Sequence, residues 1–331
     1  MSHILHLGHQ ETDLSGVTGL ISADAVGFDP VYDINAVKIT ANNGSSVPFT
    51  ATWAEPTGDV WIGFRYRSPS INAHAISTDG LFLEFYDAAN RQVGQIRTER
   101  DDEKYRAMAM GDVNVDGASS FVAATGQAYW IDVKIAVGAT ITVEFYVDGV
   151  LHSSATAANS GAKGRPVRCV WRNLYLFDHY NPATCYYAHI AVLDGVSTIG
   201  RRFARRKPDL VATYDAFSGG VDAVKDGDIA TRAASDIAGQ RMSFSLAGPT
   251  GPAGASTIAG VHVKQLAQLG TAGPNGIAGF LRIGGVDYDA SPGTPSPDMA
   301  SPVYSTWDVN PADSTPWTTA ALPTEVGIVS S

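Results

Sequence analysis

A chain of 331 residues with 33 acidic against 23 basic side chains carries a net charge of −10. That argues against a nucleic-acid partner, because affinity for phosphate backbones rests on Lys and Arg. Its 34 Gly and 17 Pro are spread along the whole length, as many short strands and turns require. No run of ~18 apolar residues occurs, so no membrane insertion is expected, and the opening MSHILHLGHQETDL lacks the basic and apolar regions of a signal peptide.

The HILHL segment reads as a terminal strand with polar exposed faces. Period-two or apolar runs then predict strands at 36–40, 60–66, 81–86, 93–98, 121–123, 129–136, 140–147, 150–154, 167–175 and 186–194. Turn signals separate them: Asn42-Asn43-Gly44, Asp79-Gly80, Asp87 to Asn90, Asp116-Gly117, Val137-Gly138 and Asp148-Gly149. The clearest element is VEFYVDGVLHS, 143–153, where Asp148-Gly149 supplies the positive φ values of a two-residue hairpin turn. Core aromatics are expected at Trp61, Phe82, Phe85, Trp130, Phe145 and Phe177, with Cys169 and Cys185 as reduced core thiols, a bridge between them left open. The charge run and Pro208 in RRFARRKPDL mark a domain boundary, 1–207 against 208–331. Beyond it, strands are expected at 241–246, 258–265, 277–283 and 305–309, with loops at 248–256 and 291–302. The fold class is all-β: a jelly-roll sandwich followed by a second, smaller β-sandwich.

Few residues carry chemistry. Asp112, Asn114 and Asp116 in GDVNVDG reproduce the first half of an EF-hand loop, and they are a candidate calcium set. The twelfth position is Ala123 rather than Glu, which rejects a full EF-hand. His3, His6 and His9 do not share one strand face. No G-x-S-x-G or H-E-x-x-H motif is present. A carboxylate pair from Glu84 and Glu144, both on predicted strands, stays open, while ERDDE at 99–103 reads as a solvated loop. GPTGPAGA is too short for a collagen helix. Arg201, Arg202, Arg205, Arg206 and Lys207 form the dense basic cluster, a candidate surface for docking an acidic protein. Some aromatics are expected to form a sugar platform; Asn72, His74, His179 and Tyr180 are loop candidates for the same role.

Residues 129–153, with Trp130, Gly138, Tyr146, Val147, Asp148 and Gly149 in order, resemble the laminin-G or concanavalin-A-like jelly roll. The whole chain is similar to structural proteins of tailed bacteriophages and gene transfer agents. The segments that carry this are Leu5 to Ser15, YYAHIAVLDGVSTIGRRFARRKPD at 186–209, DGDIATRAASDIAGQRMSFSL at 226–246, Trp307 to Thr318, and EVGI at 325–328. This resemblance implies a non-enzymatic virion component, made in a bacterial cytoplasm and present in several copies at the particle periphery as a spike, fibre or tail protein. The implied partners are other virion proteins and host surface polysaccharide, with no cofactor beyond the calcium candidate. A polysaccharide depolymerase or a stand-alone carbohydrate-binding module is the alternative.

Overall fold

The computed structural model describes residues 3–8, 14–16, 21–29, 34–41, 49–67, 80–98, 104–124, 126–172, 183–225, 231–248 and 258–331. Asn72, His74, His179, Tyr180, His9, Phe177, the Asn42-Asn43-Gly44 turn and residues 99–103 lie outside them. The chain divides into two units, one drawn from residues 3–30 and 34–203 and the other from 204–331. The boundary expected at 207 falls inside the first strand of the second unit.

The first unit holds β1 (Ile4–Gly8), β2 (Ser15–Gly16), β3 (Ile21–Asp29), β4 (Ile34–Ala41), β5 (Phe49–Thr52), β6 (Val60–Arg67), β7 (Gly80–Asp87) and β8 (Gln92–Thr98). It continues with β9 (Tyr105–Met110), β10 (Asn114–Asp116), β11 (Ala128–Val137), β12 (Thr140–Val147), β13 (Val150–Ala158), β14 (Pro166–Trp171) and β15 (Ala183–Asp194). Two antiparallel sheets result. Sheet one runs β13-β12-β11-β6-β15-β4-β3, with β1 added on β15; sheet two runs β10-β9-β8-β7-β14-β5-β2. Their inner faces share one core in which Phe49, Phe64, Tyr66, Phe82, Tyr105, Phe145, Trp171 and Tyr187 are all buried. Ring contacts such as Phe49 with Tyr187 at 5.1 Å and Phe64 with Trp171 at 6.1 Å tie sheet one to sheet two through this layer. The architecture is the all-β sandwich that the alternating runs foretold.

Local chemistry accounts for the elements. Asp148 and Gly149 take φ of 49° and 81°, the two positive values a tight hairpin needs. The Asp148 carboxylate accepts the Trp130 N–H at 2.9 Å, which ties the turn to β11. Cys169 and Cys185 are buried free thiols on different sheets.

Some expectations need correction. Residues 121–123 form no strand: Phe121 and Ala123 point into the core as a strand would, but among the described residues the backbone contact there is the bond from Tyr105 N–H to the Phe121 carbonyl. Trp61 and Trp130 are not core. Each sits one residue from a core position, Ile62 or Ile131, so the pleat turns it outward. His6, read as exposed, is buried in β1 beside β15.

The second unit holds β16 (Lys207–Asp215), a one-turn helix α1 (Asp222–Lys225), β17 (Arg241–Ala247), β18 (Val261–Ala267), β19 (Ile277–Ile283), β20 (Val286–Asp289), β21 (Ser301–Trp307) and β22 (Glu325–Ser330). Its sheets are β16-β17-β22-β19-β20 and the pair β18-β21. Leu281, Trp307 and Trp317 pack between them, and the Trp317 indole donates to the Trp307 carbonyl at 2.8 Å. That bond explains the spacing of the two tryptophans in the sequence.

Candidate functional site

In β14, Cys169 and Trp171 enter the core, so Arg168 and Val170, and Arg172 just past the strand end, fall on the outward side of sheet two. Cross-strand pairing continues two rows from them. Val170 opposes Glu84, Glu84 opposes Gln95, and Gln95 opposes Met108; Arg168 opposes Tyr86, which opposes Gln92. Although they face away from the core, Glu84, Gln95, Met108 and Val170 are all buried.

A carboxylate that is only 5% exposed needs compensating partners. Glu84 has three. The Tyr86 hydroxyl donates to Oε1 at 2.9 Å, Gln92 Nε2 donates to the same oxygen at 3.3 Å, and Arg172 Nε forms an ion pair with Oε2. Gln92 also donates to Gln95 Oε1 at 3.2 Å, and Gln95 Nε2 reaches the Met108 thioether at 2.9 Å. The Arg168 guanidinium lies 4.3 Å over the Tyr86 ring and donates to Asn90 Oδ1 at 2.6 Å. Burial, then the bond to Glu84, raise the Tyr86 pKa, so the phenol stays protonated as a donor. The result is a fixed floor of one carboxylate, two amides, a phenol and two guanidinium groups. Such a floor offers donors and acceptors in planar pairs, which suits a ligand dense in hydroxyl or carboxylate groups.

Sheet one presents a different outward face. Trp61 and Tyr146 lie 5.8 Å apart, with Lys134 5.9 Å from the Trp61 ring. Arg67 stacks on Tyr186 at 4.0 Å, and Arg65 and Arg202 approach Trp130 at 5.6 and 3.0 Å. Glu144 is on this face, bonded to the Tyr146 hydroxyl at 2.8 Å. Glu84 and Glu144 therefore lie on opposite outer faces of the sandwich with the core between them, and they form no acid pair.

The calcium candidates are dispersed among other partners. Asp112 accepts the Ser160 and Gly161 N–H groups at 3.0 and 3.2 Å, and the Ser160 bonds above all hold its carboxyl below the usual range. Asp116 pairs with Arg97 at 2.7 Å, and Asn114 is exposed on β10. Among the described residues no group of three or more His, Cys, Asp and Glu is arranged to hold a metal ion. The glycines of the motif serve the backbone: a Cβ on Gly111 would meet the Ala158 carbonyl oxygen at 2.2 Å, and one on Gly117 the Ser154 oxygen at 2.4 Å. GDVNVDG closes the edge of sheet two against β13.

The basic cluster is divided between the units. In the first, Arg202 stacks on Trp130, and Arg201 Nε donates to the Ser197 carbonyl at 2.7 Å. In the second, Arg206 donates to the Pro323 and Leu246 carbonyls at 3.2 and 3.0 Å, while Arg205 precedes β16 and Lys207 opens it. Two of the five, Arg202 and Arg206, thus brace their own units.

The Glu84 floor escaped the sequence reading, which weighed Glu84 only as half of an acid pair. The available signal was polar residues of matching parity, Glu84 and Tyr86 in one strand, and Arg168 within and Arg172 just after another.

No protein-family model and no curated protein matches the chain. Solved structures with a similar fold include a cellulose induced protein, Cip1, at 12% identity and TM-score 0.40, covering 59% of this chain and 92% of that one. The globular domain of T. cruzi calreticulin gives 10% and 0.40, covering 59% and 89%. An endo-beta-1,4-glucuronan lyase from the fungus Trichoderma reesei gives 13% and 0.39, covering 58% and 94%.

Proposed function

We propose that this protein is a peripheral component of a phage or phage-like particle that attaches, without cleaving it, to a surface glycan. The observation that carries the reading is the Glu84 floor. Polar residues that face outward on a sheet, yet are buried and mutually bonded, form a preorganised surface for a polar ligand. The order of sequence segments that resembles phage and gene-transfer-agent structural proteins supports the particle context. The second unit, with its own core, suits a role in joining neighbouring virion proteins. A single site of this kind binds weakly, and several copies on one particle would raise avidity by ~10²–10⁴.

Two measurements test this reading. Mass spectrometry of purified particles should contain the chain at several copies per particle; its absence would remove the particle role. Particles carrying Gln95→Leu, which removes the amide from the floor, should adsorb to host cells more weakly than wild type, and equal adsorption would remove the floor from attachment.

A further inference from the structure

We infer that the ligand of the sheet-two floor is an acidic saccharide, held through its carboxylates by Arg168 and Arg172. The inference rests on the proposed glycan attachment and names the chemical class of the glycan. Arg168 is on the outward side of β14 and Arg172 directly follows its last residue on the same side, four positions on, so the two lie ~13–14 Å apart along the chain direction. That is about the span of two or three sugar rings, so acidic residues two or three apart in one saccharide chain can meet both.

Charge favours the same class. The chain carries −10 overall and would repel a polyanion in general. The described outward positions of sheet two reverse that balance, with Arg97, Arg106, Arg168 and Arg172 against Glu84 and Asp116. The acids do not cancel the floor. Glu84 engages Arg172 through Nε, one of the five N–H donors of a guanidinium, and also receives bonds from Tyr86 and Gln92. Asp116 is held by Arg97, away from β14. Among the described residues Arg168 has no ion pair; it rests on Tyr86 and on the neutral Asn90, and its Nε is buried with no hydrogen-bond partner among them. A guanidinium stacked on a phenol and bonded to an amide is already oriented and keeps its full charge for an incoming carboxylate.

The test uses the full chain and two matched probes: a panel of oligouronate hexasaccharides, and the same hexasaccharides with their carboxylates reduced to hydroxymethyl groups. Binding is read by calorimetry at low and moderate salt. The acidic form should bind at least ~10-fold more tightly, and the difference should shrink with added salt. Arg168→Gln breaks no ion pair and should lose most of that preference while keeping the thermal unfolding profile. Arg172→Gln leaves the buried Glu84 without its cation, so its unfolding is measured beside its binding. Equal binding of acidic and reduced probes would overturn the acidic assignment and leave glycan attachment standing. Binding of neither probe would overturn both. An unchanged acidic preference in Arg168→Gln would remove the proposed contacts.

Discussion

The Thr198 hydroxyl donates to Asp132 Oδ1 at 2.6 Å, over a notch that only glycine leaves open at position 63. A Cβ on Gly63 would meet the Thr198 side chain at 2.6 Å and Asp132 Oδ1 at 2.8 Å. The segment that leaves β15 is thereby laid across the outward face of sheet one, where Arg202 follows it onto Trp130. Part of what the sequence offers as a basic docking patch is a clasp within the first unit.

Burial pushes the Asp132 pKa from 3.8 up to about 6, against the Thr198 bond and the Arg202 charge, which pull it down. The folded state then binds the proton more tightly than the unfolded one. Stability falls as pH rises from about 4 to about 6, by at most ~3 kcal/mol. Asp132→Asn keeps an acceptor for Thr198 and removes the titration. Thermal unfolding between pH 4 and 8 should show the variant gaining on wild type across that window and holding the gain above it. A constant difference at all pH values would contradict the buried charge.

Asp194 behaves in the opposite sense. Its carboxylate accepts from the Thr57 N–H at 2.8 Å, the Thr57 hydroxyl at 2.8 Å and the Gly58 N–H at 2.6 Å. Burial alone would raise its pKa, and these bonds outweigh burial and lower it. The stability it contributes is present above the ordinary carboxylate pKa and is lost as pH falls through the folded value. Asp194→Ala strands two backbone donors and a hydroxyl and should cost ~2–4 kcal/mol by urea unfolding at pH 7. A cost below ~0.5 kcal/mol would show that the 57–58 loop finds other partners.

The GDVNVDG segment should respond to backbone changes and ignore metal. Gly117→Ala forces a Cβ against the Ser154 carbonyl and should destabilise the first unit by ~1–3 kcal/mol. Calcium at ~1 mM should leave the wild-type melting temperature unchanged, because the carboxylates of Asp112 and Asp116 are already engaged by N–H donors and Arg97. A rise of several degrees on adding calcium would restore the metal reading.

The hairpin at Asp148-Gly149 was legible because its first strand alternates and meets a turn pair, and most other sheet-one strands because they carry alternating or continuous apolar runs. β9 was not. Its core positions Tyr105, Ala107 and Ala109 are mostly small, so the alternation carries little apolar contrast. β16 was hidden by Pro208, read as a terminator. Proline is tolerated there because β16 is an edge strand that pairs only with β17. Trp61 and Trp130 were misplaced because large apolar side chains were assigned to the core, whereas the residues beside them fix which face is buried. The Glu84 floor was beyond the sequence for a further reason: it joins β7, β8 and β9, which follow one another in the chain, to β14, whose place beside β7 is set by sheet order rather than chain order.

Attachment without cleavage is tested most directly by incubating the protein with purified host surface polysaccharide, as monomer and displayed on a multivalent scaffold. Bound protein and glycan chain length are measured together. The multivalent form should retain the polysaccharide far more strongly than the monomer, and chain length should stay constant. Shortened chains would contradict the account by showing a depolymerase, and absence of binding in both formats would contradict it by removing glycan attachment altogether.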